Sequence, residues 1–307
     1  MCWYTSIKMM KRKPKIIAVV GPTASGKSDL AVLLAHEFRG EVISADSRQI
    51  YRGMDIGTGK ITKREMHGIP HHMLDIVSPK RIFSVAEYKA GADQAILDTL
   101  KRGKVPVLCG GTGFYVDAVT QGLVLPEVKP DYALRKKLSS MPVEKLFAML
   151  KKCDPRRASD IDSKNPPRLI RAIEIARTLG KVPPMKREAP YETLFIGIDT
   201  PNDVLRERIH KRLKKRMSQG MVREAKRLHE KGVSWKRMEE IGLEYRYLSR
   251  LLRGKLTKAE MEDQLETEIM NYAKRQYTWF RRNKNIHWIV PGDSNTARKL
   301  ATDFLNT

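Results

Sequence analysis

Cysteine is scarce in this chain of 307 residues, which has only Cys2, Cys109 and Cys153. The three form neither a Cys-x-x-Cys pair nor a Cys/His arrangement with the spacing of zinc ligands. The sequence therefore indicates neither a disulfide framework nor a zinc site. Cys109 ends the apolar segment 105–109, where a thiol acts as a small buried apolar side chain.

Long apolar runs are absent too. No segment approaches the roughly 20 apolar residues that a membrane-spanning helix needs. The N-terminal region carries Lys8, Lys11, Arg12, Lys13 and Lys15 but lacks the apolar segment of a signal peptide. Together with the few cysteines, these absences predict a cytoplasmic protein with reduced thiols and no membrane partner.

Acidic residues are outnumbered: 35 Asp and Glu stand against 59 Lys and Arg, which gives a formal net charge of +24. Such an excess of positive charge concentrates polyanions near the surface and speeds their association. Because a small anionic substrate needs only a few cations, the charge favours a nucleic acid as partner. The alternative is a generally basic, well-solvated surface.

A phosphate-binding motif, G-x-x-x-x-G-K-[ST], lies between an apolar segment at 16–20 and a helical pattern at 29–38. Its residues are Gly21, Pro22, Thr23, Ala24, Ser25, Gly26, Lys27 and Ser28. In this motif backbone N–H groups and a helix N-terminus face an anion. Lys27 reaches the outer phosphate, and the Ser28 hydroxyl holds magnesium. The motif predicts a di- or triphosphate site with magnesium as cofactor; the alternative is a glycine-rich turn that binds nothing.

Apolar segments alternate with helical patterns along the chain. The predicted strands are 16–20, 41–45, 105–109, 194–198 and 286–290, and the predicted helices are 29–38, 84–101, 131–151, 167–179, 203–231, 238–252 and 258–282. This alternation predicts an α/β protein with a P-loop NTPase-like parallel sheet flanked by helices. Ligands of such sheets bind at the carboxyl ends of the strands, where the motif, Asp46 and Ser47, and the segment 110–113 lie.

The third and fourth predicted strands are separated by far more chain than one crossover helix requires. Prolines punctuate this stretch at positions 126, 130, 142, 155, 166, 167, 183, 184 and 190. We therefore predict a helical insertion subdomain at 124–190 and a P-loop catalytic core formed by 14–123 and 191–307.

Basic residues crowd a few helical turns after the fourth strand: Arg206, Arg208, Lys211, Arg212, Lys214, Lys215 and Arg216. They are too many for one helix face, so some must point toward the phosphate motif and others outward. This favours a diphosphate clamp beside an RNA-facing surface; the alternative is a solvated helix.

Six further segments accompany the phosphate motif. They read ISADSRQIY at 43–51, MDIGTGK at 54–60, GIPHHMLDI at 68–76, GGTGFY at 110–115, NPPRLIRA at 165–172 and KRQYTWFR at 274–281. Together and in this order, they resemble the tRNA dimethylallyltransferases, also called tRNA isopentenyltransferases. The similarity extends from about residue 14 to residue 290.

The resemblance implies transfer of a dimethylallyl group from dimethylallyl diphosphate to tRNA. The acceptor would be the exocyclic amine of the adenosine 3′-adjacent to the anticodon, in tRNAs that read codons beginning with U. In this family the phosphate loop holds a diphosphate leaving group and does not hydrolyse ATP.

The resemblance also implies roles for individual residues. Asp46 would be the base that takes the proton from the amine, which is a poor nucleophile; capping a helix or binding magnesium are its alternative roles. Lys27, Ser28 with magnesium, the 23–28 backbone and Arg212 would hold the diphosphate. Thr112 would contact substrate; the alternative is a turn residue.

The resemblance further implies a set of tRNA contacts. They are Asp46, Ser47, Arg48, Gln49, Thr112, Pro167, Arg168, Leu169, Ile170, Arg171, Lys274, Arg275, Gln276 and Arg281. Trp279 and Phe280 are predicted to lie in the core, since aromatic residues of a mixed helix usually pack inward. The adjacent His71 and His72 are weak evidence for a metal site because no ligand pattern accompanies them.

One segment departs from the family pattern. The segment 241–246 reads IGLEYR where relatives commonly have Gly-Tyr followed by a basic residue, so the aromatic is displaced to Tyr245 and the acid Glu244 intrudes. This puts a local RNA contact in doubt. The zinc-finger tail of eukaryotic relatives is absent, which favours a bacterial-type enzyme, and we expect a monomer.

Two other functions fit parts of the sequence. A P-loop kinase of a small metabolite would explain the phosphate motif and Arg212, but not the +24 charge or the segment 274–281. A noncatalytic RNA-binding ATPase switch would need an apolar strand ending in Asp-Glu, and the second strand ends in Asp46-Ser47 instead.

Overall fold

The computed structural model describes residues 12–307, so Cys2, Lys8 and Lys11 lie outside the described residues. The chain divides into two compact units, one formed by the residues up to Gly122 with Ala189–Thr307, the other by Leu123–Glu188. Among the helices of residues 12–307, none combines the length and apolar character needed to cross a membrane.

The first unit is built on a six-stranded parallel sheet. Its strands are Lys15–Val20 (β1), Glu41–Ser44 (β2), His71–His72 (β3), Pro106–Gly110 (β4), Glu192–Ile198 (β5) and Ile286–Ile289 (β6), in the order β3-β2-β4-β1-β5-β6. The central strand pairs in register with both neighbours, with Val19 opposite Cys109 on one side and Ile196 on the other. All five predicted strands are present; β3 was missed because it is short and polar.

Side chains of β1 alternate between two fully buried faces. Ile16, Ala18 and Val20 pack on one face, and Ile17 and Val19 on the other. Helices cover both faces, as expected for parallel strands with continuous apolar sequences. The P-loop NTPase-like fold class is therefore confirmed.

Nine helices of the first unit lie within the described residues. They are Lys27–Glu37 (α1), Val85–Lys101 (α2), Gly113–Thr120 (α3), Asn202–Ser218 (α8), Met221–Glu230 (α9), Trp235–Ile241 (α10), Leu243–Leu252 (α11), Lys258–Phe280 (α12) and Ser294–Asn306 (α13). The predicted helices 203–231 and 238–252 are each broken at a glycine. Gly220 and Gly242 have φ angles of 98° and 80°, conformations that end one helix before the next begins. Helices α3 and α13 were not predicted.

The second unit contains four helices: Tyr132–Ser139 (α4), Val143–Cys153 (α5), Pro155–Asp160 (α6) and Pro166–Leu179 (α7). The predicted helix 131–151 is interrupted because Pro142, which cannot sit inside a helix, caps the start of α5. Its core includes Leu138, Leu146 and Leu169, each at most 1% exposed.

Candidate active site

A cavity of about 990 Å³ opens at the carboxyl ends of the central strands. Its wall includes the phosphate loop, the ends of β2 and β4, the loop 55–62 and parts of α8 and α12. Parallel sheets bind ligands at this edge. The volume lies at the upper end of the range for small-molecule sites, so it has room for more than a diphosphate.

The phosphate loop turns its backbone through left-handed conformations. Gly21, Ala24 and Gly26 have φ angles of 147°, 62° and 96°. Gly26 is the N-cap of α1. A side chain on Gly26 would meet no atom within 4 Å, so its backbone conformation, and not lack of space, favours glycine there. This is the geometry in which N–H groups and a helix N-terminus bind an anion.

Lys27 lies at the centre of this loop. Its Nζ donates to the Pro22 carbonyl at 2.9 Å and lines the cavity. Burial lowers the pKa of Lys27, as does Arg212, whereas Cys109 and Asp46 act in the opposite direction. A bound diphosphate would stabilise the charged ammonium, because an opposite charge raises the pKa of a lysine.

The donors near Ser28 suit magnesium. The Ser28 hydroxyl is exposed in the first turn of α1, and Asp46 lines the same cavity. Magnesium takes oxygen ligands, commonly one or two protein groups together with phosphates and waters. Across residues 12–307, no group of three or more His, Cys, Asp or Glu side chains could hold a metal. The arrangement thus fits an ion shared with a bound diphosphate.

Three arginines spaced four residues apart on α8 face the cavity: Arg208, Arg212 and Arg216. Arg208 donates to the Ser25 carbonyl at 3.3 Å, and Arg216 lies 3.3 Å from Glu244. Arg212 has neither a hydrogen bond nor an ion pair in the described part of the chain. Burial and the neighbouring Arg216 lower the pKa of Arg212 to about 10. An unneutralised, half-buried cation of this kind is suited to an anionic ligand.

Gly59 makes room for these arginines. A Cβ on Gly59 would lie 1.7 Å from Nη2 of Arg216 and 3.0 Å from Nη2 of Arg212, and its φ is 58°. The Gly59 carbonyl also accepts a hydrogen bond from the Gln49 amide at 3.3 Å. Any larger residue would displace the guanidinium groups from the cavity wall.

The loop that contains Gly59 is anchored by a buried carboxylate. Glu224 on α9 accepts hydrogen bonds from the backbone N–H groups of Asp55, Ile56 and Gly57, at 2.9, 2.8 and 2.9 Å. It also accepts from the Tyr245 hydroxyl at 2.6 Å. Neither Glu224 nor Tyr245 was predicted as a site residue; Tyr245 belongs to the segment that departs from the family pattern.

Asp46 follows β2 and lines the cavity. Its Oδ1 accepts from the backbone N–H groups of Arg48 at 2.9 Å and Gln49 at 3.4 Å. Oδ2 makes no hydrogen bond within residues 12–307. The turn therefore orients the carboxylate and leaves one oxygen for a substrate.

Thr112 supports this turn from the end of β4. Its Oγ1 accepts from the Ser47 N–H at 3.0 Å and donates to the Ser47 hydroxyl at 3.3 Å. Tyr272 on α12, which lies outside the predicted motifs, lines the cavity, with the Arg48 guanidinium 5.1 Å from its ring centre. Arg275 lies 5.9 Å from the same ring.

The predicted tRNA contacts of α12 differ in accessibility. Lys274, Arg275 and Arg281 are exposed. Gln276 is only 5% exposed, and its amide accepts from the Thr23 N–H and donates to the Gly111 carbonyl, both at 2.8 Å. Gln276 thus holds the phosphate loop and has its amide engaged within the protein. Its predicted contact with tRNA stays a prediction.

The predicted tRNA contacts of the second unit differ in the same way. Pro167 and Arg168 are exposed in the first turn of α7, and Ile170 is half-buried. Leu169 is 0% exposed and lies in the core of its unit, so its side chain is not available to RNA. Arg171 is half-buried and donates to Glu174 and to the Val128 carbonyl.

Comparison with known proteins agrees with this architecture. Residues 49–283 match the model of the IPP transferase family. A protein of Citrifermentans bemidjiense named tRNA dimethylallyltransferase 2 is 43% identical over 295 residues, covering 94% of this chain and 95% of the relative. The tRNA dimethylallyltransferase of Halalkalibacterium halodurans is 40% identical over 299 residues, covering 94% and 95%.

Solved structures extend the comparison. The full-length tRNA isopentenylpyrophosphate transferase of Bacillus halodurans has a TM-score of 0.71 and 39% identity, with 96% of each chain covered. A eukaryotic dimethylallyltransferase acting on tRNA has a TM-score of 0.83 and 26% identity, over 95% of this chain and 80% of the other. The resemblance expected from the motifs is confirmed, and the chain belongs to the IPP transferase family.

Proposed function

We propose that this enzyme transfers a dimethylallyl group from dimethylallyl diphosphate to the exocyclic amine of the adenosine 3′-adjacent to the anticodon, releasing diphosphate. The proposed acceptors are tRNAs that read codons beginning with U. One observation carries the proposal: the unneutralised cations Lys27 and Arg212 line the same cavity as Asp46, which keeps a free carboxylate oxygen. Family membership supports the reaction class.

The chemistry assigns a task to each group. The bond between the allylic carbon and the diphosphate oxygen breaks, and its electron pair leaves with diphosphate. The adenine nitrogen forms a bond to the carbon. Its lone pair is delocalised into the ring, which makes the amine a poor nucleophile, so Asp46 takes the proton of the amine as the bond forms. Lys27, Arg212 and the loop N–H groups stabilise the charge that develops on the leaving group. Magnesium bound with Ser28 would neutralise part of that charge.

The RNA side of the proposal rests on exposed cations and one aromatic ring. A stacked base must be turned out of the anticodon loop to reach Asp46. Tyr272, beside Arg48 at the cavity wall, can replace some of the stacking that the base loses. Lys274, Arg275 and Arg281 supply exposed charge for the backbone.

We propose further that the protein is a magnesium-dependent, cytoplasmic monomer. Chelation by EDTA should abolish prenylation, and readdition of magnesium should restore it. Light scattering should give the mass of one chain, whereas a mass of two chains would contradict this part of the proposal.

Incubation with unmodified tRNA and labelled dimethylallyl diphosphate, followed by nucleoside analysis, tests the reaction. We expect label in one prenylated adenosine that maps 3′ of the anticodon. A parallel incubation with ATP and no RNA separates the metabolite kinase, which would turn ATP over. Label in no nucleoside, with ATP consumed, would refute the proposed function.

A further inference from the structure

Glu244 is a buried acid in a cavity wall otherwise rich in cations. It is only 6% exposed, yet it lines the same cavity as Lys27, Asp46 and Arg212. Its Oε1 lies 3.3 Å from Nη1 of Arg216, while Oε2 is buried with no hydrogen-bond partner. A buried acceptor without a partner costs about 1–3 kcal/mol, so such an atom calls for a ligand.

The backbone presents Glu244 to the cavity in an unusual way. Helix α10 ends at Gly242, where φ is 80°, and the next residue, Leu243, has a φ of 39°. A branched aliphatic residue seldom takes this left-handed conformation, and such strain concentrates at functional sites. The Arg48 Nε donates to the Ile241 carbonyl at 3.2 Å and ties this turn to the segment after Asp46.

The charge of Glu244 acts on both parts of the site. It raises the pKa of Arg212, against the effects of burial and Arg216, and it also raises the pKa of Arg48. Its carboxylate thus stands near both the diphosphate cations and the turn that orients Asp46. A carboxylate repels phosphate oxygens, so Oε2 is not suited to bind the diphosphate itself.

Under the proposed function, only one of the two substrates can donate a hydrogen bond to Oε2. Dimethylallyl diphosphate consists of a hydrocarbon and phosphate oxygens, and it offers no N–H or hydroxyl donor at neutral pH. RNA offers both, through base amino and imino groups and through 2′-hydroxyls. This inference rests on the proposed function. We propose that Oε2 of Glu244 accepts a hydrogen bond from an N–H or O–H donor of the bound RNA, and that this contact makes Glu244 a specificity-determining residue.

The first test compares Glu244→Gln with Glu239→Gln under single-turnover conditions with an anticodon stem-loop. Glu239 lies on the preceding helix, where it pairs with Arg250 and lies outside the cavity. We expect kcat/KM for RNA to fall about 10- to 100-fold in Glu244→Gln, as for one lost hydrogen bond to a charged acceptor. The KM for the donor and the melting temperature should stay near wild type, and Glu239→Gln should behave as wild type.

The second test finds the RNA group. Stem-loops carry a 2′-deoxy sugar, or a base without its amino or imino donor, at one loop position at a time, excluding the modified adenosine. At the contacted position the change should slow the wild type and have no further effect on Glu244→Gln, which is the signature of a direct contact. The 2′-deoxy series and the series of bases without a donor distinguish a sugar from a base.

Three outcomes would overturn the inference. They are equal activity of Glu244→Gln and wild type on the stem-loop, additive effects at every loop position, or a raised donor KM with unchanged RNA kinetics. The last would mean that Glu244 only holds Arg216. A wild-type protein that prenylates no RNA would instead refute the proposed function on which the inference rests.

Discussion

Arg212 of α8 and Arg171 of α7 differ in how their positive charge is compensated. Arg212 lines the cavity without a hydrogen bond or ion pair anywhere in residues 12–307. Arg171 donates to Glu174 and, at 3.0 Å, to the Val128 carbonyl. A half-buried guanidinium without a partner is held at a cost until an anion binds, whereas a paired one fixes its own unit. An uncompensated positive charge therefore indicates a ligand site better than the number of arginines does.

The carboxylates of the two regions show the same contrast. Glu174 is 1% exposed and accepts from Arg135, Arg171 and the Asp131 N–H. Although its burial acts to raise the pKa of Glu174, these hydrogen bonds hold that pKa below the ordinary value. Asp46 instead keeps one oxygen free, which fits a base and not a structural partner.

The largest effect should come from Asp46→Asn. The amide oxygen can still accept from the Arg48 N–H, so the turn is preserved, but the side chain cannot take a proton. We expect the single-turnover rate to fall on the order of 100- to 10,000-fold, with donor and tRNA affinities near wild type. Rapid-quench prenylation assays beside equilibrium binding measure this. Full activity of Asp46→Asn would show that another group is the base.

Arg212→Ala should have the next largest effect, because it removes an uncompensated positive charge from the part of the cavity proposed to bind diphosphate. We expect donor affinity to fall about 10- to 100-fold, as for the loss of a hydrogen bond to a charged group. Lys211→Ala on the exposed side of α8 is the matched control, since Lys211 pairs with Glu207 and should leave donor affinity unchanged. Equal donor affinities for Arg212→Ala and wild type would break the contrast with Arg171.

Glu224→Gln should weaken the anchoring of the loop that contains Gly59, against which Arg216 and Arg212 lie. The amide retains one acceptor for three N–H groups, so we expect a loss of about 1–3 kcal/mol in the free energy of unfolding. Tyr245→Phe removes one bond of the same cluster and should cost less, about 0.5–1.5 kcal/mol. Urea denaturation of both variants measures the difference. A larger loss for Tyr245→Phe than for Glu224→Gln would contradict this account of the loop.

The sequence predicted the fold better than it predicted the partners of each site residue. Five strands were identified because each is a short apolar run, whereas β3 consists of two histidines. Gly220, Gly242 and Pro142 interrupt helices whose hydrophobic pattern continues across the break. The backbone conformations of these three residues outweigh the hydrophobic pattern. Treating glycine and proline as signals for helix ends would have predicted the three breaks.

The phosphate loop and Asp46 belong to motifs that strand ends bring together, whereas Arg212 reaches the cavity from α8. Glu224 and Tyr272 were missed because their partners, Gly57 and Arg48, are far away in sequence and no local pattern links them. Gln276 and Leu169 were expected to contact RNA because of the segments in which they lie. Arg168 and Arg275 beside them are exposed, but a helix turns every third or fourth side chain inward.

The smallest effect separates two arginines of α7. The guanidinium of Arg168 has no partner in the described residues, and its helix turn is exposed, so it is free to meet RNA phosphate. Arg168→Ala should weaken tRNA binding and reduce the slope of log affinity against log salt by about 0.7, the value for one single-strand phosphate contact. Arg171→Ala should change the slope less, because Glu174 already neutralises that charge, and should instead destabilise its unit.

Arg177→Ala, at the exposed far end of α7, serves as the control for general loss of charge. Salt titrations of tRNA binding decide the comparison: an unchanged slope for Arg168→Ala, or a larger change for Arg171→Ala, would show that the paired arginine and not the free one meets the RNA.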